Sequence, residues 1–224
     1  MNCPIHQESK MSIGILGSGA LGSNVARALA NKGVSAIIAN RSGPESLSAR
    51  VKELGPTITA GTLEQAAQAD IVLVAVPWVA IESLLASLPA WNNRIVIDGT
   101  NPVLFLDPNS AEAKDPTNPL AAYGIKAIDL DGKSSSSVVR DLVPGARLVK
   151  AFNHLDVAVL PEPDVSGGKR TLFYSGDDLA AKAEVRNLLE ACGYFAVDLG
   201  SLDTGGRLME LPFGALATHN FIKI

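Results

Sequence analysis

The fold is decided by the stretch SIGILGSGALG, which spans residues 12–22. A short apolar run ends at Gly17, and apolar residues then recur at helical spacing from Leu21 to Leu29. A buried strand, a glycine-rich turn and a helix in this order are typical of a dinucleotide-binding loop, because the helix N-terminus offers free N–H groups to a pyrophosphate. The predicted cofactor contacts in this loop are Gly17, Ser18, Gly19, Ala20, Leu21 and Gly22.

Seven further apolar segments continue the alternation of strand and helix along the chain. We predict strands at residues 34–39, 57–60, 71–76, 94–98, 147–152, 171–175 and 194–199. This pattern predicts an α/β fold of the Rossmann type, with a doubly wound, mostly parallel sheet of about eight strands and a small C-terminal portion. We expect a single domain over residues 12–224, a disordered extension over residues 1–11, and an irregular excursion over the proline-rich residues 102–132.

The end of the second predicted strand distinguishes between NAD and NADP. NAD enzymes usually place a carboxylate there to bind the ribose 2′-OH, whereas this chain continues with Asn40, Arg41 and Ser42 and has no carboxylate before Glu45. A guanidinium and a hydroxyl suit a 2′-phosphate. The sequence therefore predicts NADP(H) as the cofactor, the alternative being that Arg41 is a solvated surface charge.

The ends of the later strands should line the same crevice, because ligands bind outside the carboxyl ends of parallel strands. Val76 and Pro77 are predicted on the adenosine and ribose side. The amides and carbonyls expected near the nicotinamide belong to Asn101, Pro102, Asn153 and His154. We predict orienting roles in the reaction for Asn153 and His154, although His154 has the alternative of a structural hydrogen bond to the backbone.

Composition and charge exclude several classes of protein. Hydrophobic residues make up 47% of the chain and charged residues 19%, which is typical of a globular protein. A net charge of −4 without a basic run argues against a nucleic acid or an anionic membrane as partner. Cys3 and Cys192 form no metal-site spacing, so no metal is expected. Residues 1–10 lack the apolar segment of a signal peptide, which predicts a cytoplasmic location.

Several short segments also occur together in one known family. They are residues 13–19, 40–47, 75–77, 98–102, 150–153 and 205–207. In this order they resemble the NADP-dependent deazaflavin (8-hydroxy-5-deazaflavin:NADPH) oxidoreductase family, which includes the reductase domain of the six-transmembrane metalloreductases. The resemblance implies reversible hydride transfer between NADPH and a flavin-like or deazaflavin acceptor, and a homodimer. In one departure, Asn153 stands where the deazaflavin enzymes carry a histidine.

No nucleophile–base pair is legible in the sequence. Reduction of a carbonyl needs a proton donor at the oxygen, whereas a flavin-type ring accepts hydride without one because the ring delocalises the charge. We therefore interpret the chain as a hydride donor to a ring acceptor. One alternative is a non-enzymatic NADP(H) sensor. A carbonyl or imine dehydrogenase is less favoured, because such enzymes add a large helical C-terminal domain that we do not expect here.

Near the C-terminus, Arg207 and Glu210 are predicted to form an ion pair across one helical turn.

Overall fold

The computed structural model describes residues 11–224, and the extension expected at residues 1–10 lies outside them. Met11, which the sequence assigned to that extension, is partly buried and packs against the hydrophobic core. None of the helices in the described chain is both long enough and apolar enough to cross a membrane.

The described residues form strands and helices in alternation, joined in places by short 3-10 turns. The strands are β1 (Ile13–Leu16), β2 (Ala36–Ala39), β3 (Ile58–Ala60), β4 (Ile71–Val74), β5 (Ile95–Asp98), β6 (Val103–Phe105), β7 (Ile125–Ala127), β8 (Arg147–Ala151), β9 (Asp164–Val165), β10 (Gly168–Gly176), β11 (Phe195–Asp198) and β12 (Ile222–Lys223). The helices are α1 (Ala20–Asn31), α2 (Ser48–Leu54), α3 (Leu63–Ala67), α4 (Ile81–Ala86), α5 (Ser135–Leu142), α6 (Leu179–Ala191) and α7 (Arg207–Met209).

The central sheet has the strand order β11-β10-β8-β5-β4-β1-β2-β3. The six strands from β8 to β3 run parallel to one another. The reversal of connection between β1 and β4 is the topological switch point at which Rossmann-type sheets bind their ligands. The predicted α/β fold with a mostly parallel sheet is confirmed. The sequence did not predict that β10 runs antiparallel to β8 and that β11 follows the direction of β10.

Helices cover both faces of this sheet, as the uninterrupted apolar strands require. On one face, side chains such as Ile15 and Ile38 pack with α1 and α6. On the other, Leu16 and Val74 pack with residues of α3, α4 and α5. Neighbours in one strand, such as Ile15 and Leu16, therefore point into different cores.

The excursion at residues 102–132 is less irregular than the sequence suggested. β6 and β7 pair as an antiparallel hairpin, with Phe105 opposite Ile125. The connection between them consists of turns and two 3-10 segments, Glu112–Lys114 and Ala121–Tyr123. The hairpin follows β5 almost directly and leads towards α5, so it lies beside the carboxyl edge of the sheet and not at a remote surface.

Candidate functional site

In the glycine loop after β1, Gly17 and Gly22 are closely packed, whereas Gly19 faces open space. Gly17 has φ of +116°, and a Cβ there would stand 2.2 Å from the carbonyl oxygen of Ala75. A Cβ on Gly22 would stand 2.0 Å from the carbonyl oxygen of Gly17. A Cβ on Gly19, by contrast, would meet no described atom within 4 Å. The first and third glycines are therefore required by packing, whereas the second faces open space.

The open side of the loop is the N-terminus of α1. Gly19 is the N-cap of this twelve-residue helix, no side chain caps it, and its first turn holds no acidic residue. The first N–H groups of the helix and the positive end of its dipole are thus directed at the space in front of Gly19. An uncapped helix end and a cradle free of side chains fit a pyrophosphate group.

Asn40 joins the end of β2 to this loop. Its Nδ2 donates to Ser18 Oγ at 3.1 Å, and its Oδ1 accepts from the main-chain N–H of Ser42 at 2.9 Å and from Ser46 Oγ at 3.1 Å. The side chain of Asn40 is therefore occupied in shaping the loop. Arg41 and Ser42 are exposed immediately beyond it, where the sequence places a 2′-phosphate.

A second arginine, not foreseen from the sequence, reaches the same loop. Arg50 Nη1, from α2, donates to Ser23 Oγ at 2.6 Å and to the carbonyl oxygen of Ser18 at 3.4 Å. Ser23 Oγ itself donates to that carbonyl at 2.9 Å. A surface arginine in a predicted helix gives no sign of such a contact. The only available signal is that α2 follows the β2 loop closely and must pack near α1.

Val76 and Pro77 lie where the end of β4 passes the glycine loop. The Val76 Cγ1 atom would be 3.0 Å from a Cβ on Gly17, so this side chain is in direct contact with the loop. Pro77 is exposed and precedes the 3-10 turn Trp78–Ala80. The structure therefore brings both residues to the edge at which the sequence predicted them.

Asn101 and Asn153, predicted to face the nicotinamide, contact each other across the ends of β5 and β8. Asn101 Nδ2 donates to the carbonyl oxygen of Asn153 at 2.7 Å, and Asn153 Nδ2 donates to Asn101 Oδ1 at 3.0 Å. The C-terminal segment joins them: Asn153 Nδ2 donates to Met209 O, and Leu211 N–H donates to Asn101 Oδ1, both at 2.9 Å. Asn153 Oδ1 is buried and has no hydrogen-bond partner among the described residues. It is thus the free acceptor of this network.

The residue before Asn153 is strained. Phe152 has φ of +66° and is almost completely buried, a conformation that is rare for a bulky side chain. Its ring packs edge-on against Tyr194 at a centroid distance of 6.2 Å. Such strain persists only where the surrounding structure enforces it, and it clusters at functional sites. Here it turns the chain at the end of β8 and sets the position of Asn153.

A buried ion pair lies beneath these two asparagines. Lys150 Nζ donates to Asp98 Oδ2 at 2.8 Å and to the carbonyl oxygen of Thr100 at 3.0 Å, and both charged side chains are fully buried. Asp98 Oδ1 accepts from the main-chain N–H of Thr100 at 2.9 Å and from Thr100 Oγ1 at 2.6 Å. The pair therefore holds the turn that carries Asn101. The sequence analysis did not single out either residue.

His154 is turned away from this edge. It is fully buried, its Nε2 accepts from the main-chain N–H of Phe173 in β10 at 3.0 Å, and its ring lies 4.9 Å from the Phe173 ring. Burial lowers the pKa of His154 to about 4, so the ring is neutral near pH 7. This geometry favours the structural alternative for His154 over an orienting role in the reaction.

Two cavities open at the same edge, beyond Asn101. One, of about 320 Å³, has mostly apolar walls; its lining includes Pro102, Ile128, Leu130, Glu210, Pro212 and Phe213. The other, of about 350 Å³, lies between Trp78 and α5 and shares Lys133 with the first.

The predicted Arg207–Glu210 pair is wrong, because α7 ends at Met209. Glu210 accepts from the Ser135 N–H at 2.8 Å, and Arg207 donates to the Gly132 carbonyl. Across residues 11–224, no three acidic, histidine or cysteine side chains gather as a metal site.

Known proteins share this combination of fold and loop. A model of the family described as NADP oxidoreductase, coenzyme F420-dependent, matches residues 12–102. The crystal structure of hypothetical protein SMa0349 from Sinorhizobium meliloti is 36% identical, with a TM-score of 0.83, over 97% of this chain and 98% of that one. The chain belongs to this NADP oxidoreductase family. Membership confirms the predicted class of enzyme, an NADP-dependent oxidoreductase.

A more distant relative and a structural neighbour also match the chain. Metalloreductase STEAP3 of Rattus norvegicus is 25% identical over 206 residues, which are 91% of this chain and 37% of that protein. The chain thus spans little more than a third of this curated relative. A reductive aminase from Aspergillus terreus, solved with NADPH, is 18% identical with a TM-score of 0.58, over 88% of this chain and 57% of that one. At this identity the likeness concerns the fold alone.

Proposed function

We propose that this protein binds NADP(H) and transfers a hydride between it and a planar flavin-like or deazaflavin acceptor. The observation that carries the proposal is the arrangement of one edge of the sheet: an uncapped glycine loop at one end, and a cavity of about 320 Å³ at the other. The paired Asn101 and Asn153 follow the two strands that lead to the cavity.

The first part of the proposal concerns the cofactor. Bound NADPH would supply the hydride. The N–H groups at Gly19 and the first turn of α1 would hold its pyrophosphate, and the exposed Arg41 and Ser42 would bind its 2′-phosphate. Membership of an NADP oxidoreductase family supports this assignment, as does the absence of a carboxylate between β2 and Glu45.

The second part concerns orientation at the reacting end. Asn153 Oδ1 lacks a partner among the described residues, so it is suited to accept a hydrogen bond from the carboxamide of the nicotinamide. Its own amide N–H groups are held by Asn101 Oδ1 and by Met209 O. Asn153 would therefore fix the orientation of the ring, since neither of its held groups can rotate without breaking a hydrogen bond.

The third part concerns the acceptor. The cavity beside Pro102 falls within the usual size range of small-molecule sites, and Ile128, Leu130 and Phe213 in its lining offer apolar surface against which a ring would stack. His154 is neutral and bonded to β10, so it supplies no proton there. A ring acceptor needs none at the transfer step, because it delocalises the charge that it gains.

A panel of acceptors tests this proposal. Protein and NADPH are mixed with FMN, a deazaflavin, a ferric chelate or a quinone, and absorbance at 340 nm is followed. Turnover with FMN or the deazaflavin is the expected result. Turnover with the ferric chelate or the quinone alone would contradict a flavin-like or deazaflavin acceptor. Tight binding of NADPH without turnover on any acceptor would favour a sensor instead, and no binding would reject both.

The Arg41→Ala variant tests the choice of cofactor. Loss of a charge-assisted contact to the 2′-phosphate should weaken NADPH binding by about 1.5–3 kcal/mol and leave NADH binding unchanged. Isothermal titration calorimetry with both cofactors measures the difference. Arg186→Ala is the matched control, because Arg186 is an exposed arginine paired with Glu190 on α6. Equal weakening of NADPH and NADH by Arg41→Ala would contradict the assignment.

A further inference from the structure

Arg50 is placed where a second cation could meet the cofactor. It lies on α2, is exposed, and donates through Nη1 to Ser23 Oγ and to the carbonyl oxygen of Ser18 in the glycine loop. Asn40, the last residue before Arg41, donates to the hydroxyl of the same Ser18. Ser18 is therefore held from one side by the end of β2 and from the other by Arg50.

The end of β2 is where Rossmann-type domains bind the ribose 2′ position. Arg41 and Ser42 follow this point in the chain. Arg50 is linked to it through Ser18, which accepts hydrogen bonds from both Asn40 and Arg50. The Arg50 guanidinium thus contacts the same loop residue, Ser18, that Asn40, the neighbour of Arg41, contacts. A phosphate carries three strongly accepting oxygens and is frequently bound by more than one charged donor.

The Arg50 guanidinium has no carboxylate among the described residues within salt-bridge distance. Glu53, whose pKa is lowered mainly by Arg27 and to a smaller extent by the Arg50 charge, is in an ion pair with Arg27 of α1. Since one nitrogen of the Arg50 guanidinium is anchored on Ser23, the group is oriented in advance and its remaining N–H groups are available to an anion.

We propose that Arg50 is a specificity-determining residue that binds the cofactor 2′-phosphate together with Arg41. The inference rests on the proposed function, because it requires that the loop binds NADP(H). It adds a residue from α2 to a subsite that the sequence assigned to the end of β2 alone. It also explains why Arg50 donates a hydrogen bond to the hydroxyl of Ser23, a buried serine in the first turns of α1.

The experiment separates this role from a purely structural one. Arg50→Ala, Arg50→Lys and Arg27→Ala are compared with the unchanged protein by calorimetry, using NADPH, NADH, adenosine 2′,5′-bisphosphate and 5′-AMP as ligands. Arg27→Ala is the matched control, because Arg27 also links α1 to α2 through Glu53 but does not contact the glycine loop in any described hydrogen bond. Thermal melting verifies that each variant is folded.

We expect Arg50→Ala to weaken NADPH and adenosine 2′,5′-bisphosphate by about 10- to 100-fold, the range of one lost charge-assisted hydrogen bond. NADH and 5′-AMP should change less than about twofold, and Arg50→Lys should lose less than Arg50→Ala because its charge remains. Equal loss for all four ligands, no loss at all, or the same loss in Arg27→Ala would overturn the inference. Failure of the unchanged protein to bind NADPH would instead reject the proposed function, and the inference with it.

Discussion

Lys150 shows how a single charge can support the candidate site from below. It is buried with Asp98, and their contacts to Thr100 hold the turn between β5 and Asn101. Replacing Lys150 with Met would leave the Asp98 carboxylate unpaired in the core. We expect Lys150→Met to lower the free energy of unfolding by about 3–5 kcal/mol, the usual effect of breaking a buried pair by removing one partner.

Urea denaturation at pH 7 measures this loss. The control is the double variant Lys150→Met/Asp98→Asn, which removes the second charge and keeps an oxygen that can accept from Thr100. The double variant should be more stable than Lys150→Met, because no uncompensated charge stays buried. A double variant as unstable as the single one would show that the charge pair is not the cause.

Some residue roles could be predicted from the sequence and others could not. Asn101 and Asn153 were predicted at the site because each follows a predicted parallel strand, and such strand ends share one edge. Lys150 and Asp98 carried a signal that was not used: each is a charge within or at the end of a predicted strand, and they are paired neighbours in β5 and β8. For Arg50 the sequence signals only that α2 must pack near α1, since the contact itself depends on the angle at which the two helices pack.

Elements were predicted well where local pattern decides them. The spacing of Thr62 and Gln65 is that of a capping box, and these residues begin α3; the amphipathic residues Leu179–Ala191 form α6. The hairpin of β6 and β7 was missed because each strand has only three residues, too few for a periodic signal. Its turns did carry a signal, since Asp107, Asp115 and Asn118 each accept from a main-chain N–H two residues further on.

The direction of β10 was not predicted from the sequence, and the lack of a helix in the connection that precedes it explains the reversal. A parallel crossover needs a dozen or more residues and usually a helix to return the chain. Between β8 and β10 the chain holds only the 3-10 turn Val157–Val159 and the two-residue β9. Without a crossover helix the chain returns antiparallel. The sequence, which shows no amphipathic helix between residues 153 and 167, is consistent with this reversal.

At the scale of the whole molecule, the antiparallel direction of β10 limits the number of strands whose carboxyl ends line the crevice. The strand ends that face the glycine loop come from β1, β2, β4, β5 and β8, whereas β10 presents its amino end at that edge. The C-terminal segment fills the remaining side through Leu211, whose N–H binds Asn101, and Thr218, whose N–H binds the carbonyl of His154. Pro212 and Phe213 of the C-terminal segment thus line the same cavity as Pro102 and Ala127, which flank or belong to the hairpin.

His154 is hydrogen-bonded to this C-terminal segment, and its titration makes the free energy of unfolding depend on pH. Its pKa is about 4 in the folded protein, below the ordinary 6.5, because burial disfavours the charged ring. The unfolded chain therefore binds more protons than the folded one between those values, so stability is greatest above about pH 6.5 and falls as the pH drops towards 4. The full difference corresponds to about 3 kcal/mol.

The measurement is urea denaturation at several pH values between 7.5 and 4, with His154→Gln as the comparison. A glutamine amide oxygen can still accept from the Phe173 N–H but does not titrate, so the variant should lose less stability than the unchanged protein as the pH falls. His6 and His219 are present in both proteins, and their contributions cancel in the difference. Two parallel stability curves would show that His154 is not buried in its neutral form, and that β10 and the C-terminal segment do not close over it.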